Sequence, residues 1–185
     1  MKMNPFFGTF ILCLLLLFVS CTKEAGKDTA EKNFLSSSAN ASGANGKNLN
    51  TLTELLKSVR QATSRFHSTT QAIKAGHEPD DHCVSAPGLG GMGYHWVNPD
   101  LVDPVFDPLK PEALLYATGP GGNLRLIGVE YIVINIGQPQ PIFGDRPFDI
   151  GGTPVPADHW SLHVWLYEEN PSGLFAPFNP NITCP

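Results

Sequence analysis

Positive charge nearly disappears from the second half of this chain: beyond Lys110 only Arg125 and Arg146 are cationic. Overall, 12 Lys and Arg face 17 Asp and Glu, so no basic patch exists for a phosphate backbone, and nucleic acid and anionic lipid surfaces are poor partners. Cysteine is also sparse, at four residues. None sit in Cys-x-x-Cys spacing, which argues against thiolate zinc knuckles and dithiol redox motifs. The glycine-rich Gly90-Gly91-Met92-Gly93 is not followed by the Lys and Ser/Thr of a phosphate loop, so nucleotide cradling is rejected there. Internal repeats and low-complexity tracts are missing from residues 49–185, and a chain of 185 residues allows one domain.

What is present begins at the N-terminus. After Lys2 an apolar run extends from Phe6 to Val19 and meets Ser20 and Cys21. Its length suits a signal-peptide core and falls short of the roughly 18 residues a spanning helix needs. Phe18-Val19-Ser20-Cys21 resembles the cleavage box of bacterial lipoproteins, with Phe where that box carries Leu and Val where it carries a smaller residue. The resemblance implies a signal peptide over residues 1–20, cleavage before Cys21 and lipidation of Cys21. It further implies a membrane partner through that lipid, and a place in the bacterial cell envelope facing the periplasm or the exterior. Loss of Lys2 with the signal would take the net charge from −5 to −6.

Residues 21–48 are rich in Lys, Glu, Ser, Ala, Asn and Gly and bury too little apolar surface to offset ordering, so they read as a flexible tether. A single globular domain is expected over 49–185. Thr51-Leu52-Thr53-Glu54 has capping-box spacing, and Leu52, Leu55, Leu56, Val59, Ala62, Phe66 and Ile73 recur at helical intervals up to Gly76. Beyond Gly76 the chain is rich in Pro and Gly. Ala113–Thr118 and Leu124–Ile136 read as a hairpin about Gly119-Pro120-Gly121-Gly122-Asn123, His159–Tyr167 as a third strand and Gly93–Asn98 as a fourth. The expected class is α+β: one long N-terminal helix packed on a small antiparallel sheet, with long ordered loops.

If Cys13 leaves with the signal and Cys21 carries lipid, Cys83 and Cys184 remain, and in an oxidising compartment they form one disulfide. Among side chains that could carry chemistry, Glu130 stands out. Strand alternation puts it on an apolar face with Leu126, Gly128, Ile132 and Ile134, where a lone carboxylate must meet a cation, a metal or several donors. Arg125 and Arg146 are the structural alternatives. On the third strand His159, Ser161, His163, Trp165 and Tyr167 share a polar and aromatic face, the composition of a pocket wall. His159 and His163 lie about 13 Å apart along an extended chain, so only one can ligate a given ion, and His163 is preferred. Gly90, Gly91 and Gly93 permit close backbone approach and deliver His95.

Gly91-Met92-Gly93-x-His95, Gly128-Val129-Glu130-Tyr131, Leu162-His163-Val164-Trp165 and Asn170-Pro171-x-Gly173-x-Phe175 together resemble a family of secreted bacterial proteins over residues 60–185. That resemblance implies no activity. A looser likeness is to metal-binding cupins, whose paired His-x-His ligands on one strand are missing here.

Two functional expectations follow. In the first, His95, Glu130 and His163 hold a divalent metal ion, zinc or iron, with His67 or His82 as a fourth ligand and Glu130 as the catalytic carboxylate acting on a small molecule. In the second, Tyr94, Trp96, Tyr131, Trp160, Trp165 and Tyr167 form an aromatic platform for a small-molecule ligand, and the protein is a non-catalytic binding module.

Overall fold

The computed structural model describes residues 42–152 and 155–185, with side chains from Thr51 onward within the first helix. The signal sequence, Cys21 and the greater part of the 21–48 tether lie outside the described residues. Apolar, β-branched runs dominate the middle of the chain, and the fold is built from them. Six strands form one antiparallel, curled sheet: β1 (Cys83–Ala86), β2 (Gly90–Val97), β3 (Ala113–Thr118), β4 (Leu124–Ile134), β7 (Asp149–Ile150) and β8 (His159–Val164), in the order β1-β2-β3-β4-β8-β7. A separate ribbon pairs β5 (Ile142–Phe143) with β6 (Arg146–Pro147). The first four strands form a meander. β8 then returns beside β4, which makes β3 and β4 interior strands, buried on both faces.

The expected α+β class with one long helix is overturned, since the sheet carries the fold and the helical segment is broken. Helix α1 (Ser42–Thr63) starts upstream of the expected cap at Thr51, within the presumed tether. It gives way to a 3-10 turn (Ser64–His67), and α2 (Thr69–Lys74) follows as a separate short helix. Hydroxyl side chains account for the break. Thr63 Oγ1 bonds back to the Val59 carbonyl at 2.7 Å, Ser64 Oγ bonds to Gln61 O at 3.1 Å, and Ser68 is extended. Such side chains compete with the helical backbone and bend or end it. Gly76 does close the segment, at φ 97°.

The main core lies on one face of the sheet, where Tyr94, Trp96, Leu114, Tyr116, Val129, Tyr131, Val133, Leu162 and Val164 pack with Val59 and Phe66 of the helical segment. Tyr116 Oη donates to the Phe66 carbonyl at 2.6 Å and ties the 3-10 turn to the sheet. The other face holds a smaller cluster of Leu115, Ala117, Ile127, Trp165 and Ile182. Strict alternation along β4 fails at one place. Leu115 pairs with Gly128 and Tyr116 with Leu126, so Ile127 is a bulged extra residue. Leu126 therefore joins the main core and Ile127 the opposite cluster, unlike the even alternation the sequence suggests.

The expected Cys83–Cys184 disulfide is formed, with Cα atoms 5.6 Å apart across 101 residues. It fixes the C-terminal segment against the sheet. Asn179 exchanges backbone hydrogen bonds with Gly91 at 2.9 and 3.1 Å. A Cβ on Gly90 would lie 2.1 Å from the Asn179 carbonyl oxygen, and one on Gly91 would lie 2.8 Å from Ile182 Cγ2. The glycine run thus seats this strap. Among the described residues no helix is long and apolar enough to cross a membrane.

Candidate metal centre

Register brings the three expected ligands together. Glu130 on β4 lies directly opposite His163 on β8, and Ala113 of β3 is its partner on the other side. His95 on β2 is opposite Leu115, which is opposite Gly128, one step along the same face. Cross-strand partners share a face, so all three functional side chains emerge on the side away from the main core. Gly128 contributes no side chain and Ala113 only a methyl, which leaves room for longer groups from β2, β4 and β8 to meet over the sheet. A Cβ at Gly128 would sit 2.6 Å from the Val164 carbonyl, so the β4–β8 approach itself demands glycine.

His95 Nε2 lies 3.4 Å from His163 Nε2 and 3.5 Å from Glu130 Oε2, and one ligand atom from each residue lies within 4.8 Å of the others. The imidazole rings stand perpendicular, with centroids 5.6 Å apart. All three residues are buried, Glu130 completely. Glu130 divides its oxygens: Oε1 accepts a 2.6 Å hydrogen bond from Ser161 Oγ, and buried Oε2 has no hydrogen-bond partner. The Gly93 backbone beside the His95 ring partly opposes the effect of burial on it.

Burial sets the charge state. It pushes the Glu130 carboxyl up to about 8, against the opposing pull of the Ser161 hydrogen bond. It lowers His95 to about 4, and burial together with His95 lowers His163 to about 3. With no ion bound the cluster at neutral pH is therefore a protonated acid and two neutral imidazoles, and the short His–Glu distances are not ion pairs. A divalent cation would exchange with the Glu130 proton and find the imidazoles already in their ligating form.

The triangle is uneven: the two His95 distances are 3.4 and 3.5 Å, whereas His163 Nδ1 stands 3.9 Å from Glu130 Oε1.

The other candidates are elsewhere. His67 packs edge-on against Tyr167, with centroids 4.5 Å apart. His82 is exposed, its backbone N–H donating to Asp80 Oδ1, and neither joins the cluster. His159 lies four residues before His163, with Nδ1 2.6 Å from the Ala157 carbonyl oxygen. The two arginines considered as scaffold partners for Glu130 are engaged otherwise, Arg125 with Glu168 and Arg146 with Asp149.

The aromatic platform is not assembled. Tyr94, Trp96 and Tyr131 are buried in the main core, whereas Trp165 is buried in the cluster on the opposite face. Tyr167 is held to the helical segment through Thr63 and Arg60.

Two residues beside the site were not singled out by sequence. Ser161 had a usable signal, being two positions before His163 on the same strand face. Glu112 had none: it precedes β3 in a proline-rich stretch, yet it is buried, accepts from the Ile132 N–H at 3.0 Å and is pushed up to about 8 by burial.

No family model, curated protein or solved structure matches this chain. The functional reading therefore rests on the side chains.

Proposed function

We propose that this is an extracytoplasmic, lipid-anchored metalloprotein in which His95, Glu130 and His163 hold one zinc-type divalent cation. The observation that carries the reading is the unpartnered, fully buried Glu130 Oε2 in a cluster with two neutral imidazoles whose ligand atoms all lie within 4.8 Å of one another. A carboxyl group in an apolar interior is costly unless something compensates it, and a shared cation does so for all three groups at once. Two imidazoles and one carboxylate are a donor set that zinc takes with one position left open.

Three protein ligands leave one coordination position for water or a small ligand, the arrangement of catalytic rather than closed structural zinc sites. Bound zinc supplies Lewis acidity and lowers the pKa of such a water. The protein's own part is to exclude bulk solvent, with Leu115, Trp165 and Ile182 packed beside the site on the same face. The clefts at Asp80–Trp96, Asn135–Trp160 and Arg60–Leu174 are lined by residues other than these three, so none of them opens on the site.

Elemental analysis of protein purified from metal-replete cells tests the assignment. About one zinc per chain is expected, and His163→Ala should abolish it; a wild-type protein free of transition metal would refute the site. The lipid anchor is tested by Cys21→Ser, which should release a soluble or unprocessed protein, because the remaining tether has no apolar face to hold a membrane. A processed variant still stably bound to membranes would contradict it.

A further inference from the structure

We infer that Ser161 determines which metal the site accepts, by limiting Glu130 to one ligating oxygen. This rests on the metal reading above and deepens it. A carboxylate can present two oxygens to an ion, and that bidentate mode suits large cations with six to eight oxygen ligands at about 2.3–2.6 Å, whereas zinc takes four ligands at about 2.0–2.3 Å. In this site Oε1 is engaged. Ser161 Oγ donates to it at 2.6 Å, and His163 Nδ1 stands 3.9 Å away, beyond hydrogen-bonding range. Only Oε2 is free, and it is the oxygen that faces His95 Nε2.

Ser161 is well placed to hold this division. It lies in β8 between two partners, opposite Ile132 of β4 and Asp149 of β7, so its backbone is fixed from both sides. It is buried at 9% exposure, so little water competes for the hydroxyl. Its bond also favours the ionised carboxylate against the desolvation that opposes it. Ser161 is thus a positioning residue: it touches no ion itself and acts through Glu130.

The test compares Ser161→Thr with Ser161→Val, two side chains of nearly equal volume that both suit a strand and differ in the hydroxyl. Each purified full chain is stripped of metal and titrated with Zn2+ and with Mn2+, and the Co2+-loaded forms are compared by visible absorption. The wild type and the Thr variant should prefer Zn2+ strongly and give the intense Co2+ spectrum of four-coordination. The Val variant should bind Zn2+ about 10–100-fold more weakly, the usual cost of losing an outer-shell partner. Its Zn2+ to Mn2+ preference should narrow and its Co2+ bands weaken as Glu130 turns bidentate. A purely structural role would lower melting temperature without moving that ratio. A Val variant with wild-type affinity, ratio and spectrum overturns the inference while leaving the metal site standing. A wild type that takes up neither ion removes the metal reading itself.

Discussion

Glu130 is the residue on which the site turns, and its protonation makes a prediction with a definite sign. The folded, metal-free chain holds a proton on Glu130 up to about pH 8, whereas its ordinary value is 4.5. Where the folded state binds more protons than the unfolded state, stability falls as pH rises. The Glu130 contribution to the stability of the metal-free wild type should therefore be lost between about pH 4.5 and 8. Glu130→Gln, which mimics the neutral acid, should lose less across that window. Glu112 shifts in the same direction but is present in both proteins, so the difference between them isolates Glu130. His95 and His163 act at the other end, withdrawing stability as pH falls below 6.5 toward 4 and 3. Metal affinity of Glu130→Gln should drop by at least about a hundredfold, beyond the usual outer-shell effect, because the ligating charge is gone. Thermal midpoints across pH together with metal content decide the matter, and a stable, fully metallated Glu130→Gln protein would remove Glu130 from the site. Much of this was legible in the sequence: a carboxylate between apolar residues of a β-branched run is conspicuous, and so are imidazoles on neighbouring extended stretches. Ser161 was less so, because nothing in a sequence says which hydroxyl on a strand face turns toward a given carboxylate.

At the scale of elements, the strands that matter most were the most readable. β3 coincides with the expected Ala113–Thr118, and β4 and β8 begin where expected, at Leu124 and His159. The long β4–β8 pairing that sets Glu130 opposite His163 was not readable, because register across a wide loop depends on tertiary packing. β7, two residues long, and the Ile127 bulge carry too little local pattern to detect. The helix was overestimated because the 3.6-residue apolar rhythm continues through Thr63–Ser68 while the hydroxyl groups there break the backbone ladder. The strap is the element with the clearest energetic consequence. Cys83→Ser should lower stability by about 2–5 kcal/mol, as for native disulfides in small secreted domains. It should also alter the fluorescence of Trp165, whose ring packs with Ile182 and whose Nε1 donates to the Ala176 carbonyl at 2.6 Å. Equal thermal midpoints with and without reductant would contradict a stabilising role for the bond.

For the molecule as a whole, the sheet divides labour between its faces. The broad face buries aromatic and aliphatic side chains against the helical segment and supplies most of the cohesion. The narrower face assembles a neutral, buried polar triad beside a small apolar cluster and a covalently fastened C-terminal strap. A disulfide that closes so long a loop is consistent with an oxidising location outside the cytoplasm, which agrees with the address proposed from Cys21. The central claim is that one ion is shared by two imidazoles and one carboxylate, and X-ray absorption at the metal edge of the purified protein addresses it most directly. The predicted result is a first shell of about four nitrogen and oxygen donors at about 2.0–2.1 Å with the outer-shell scattering of two imidazole rings. A shell containing sulfur, a shell of six oxygens without imidazole, or no bound metal at all would contradict it.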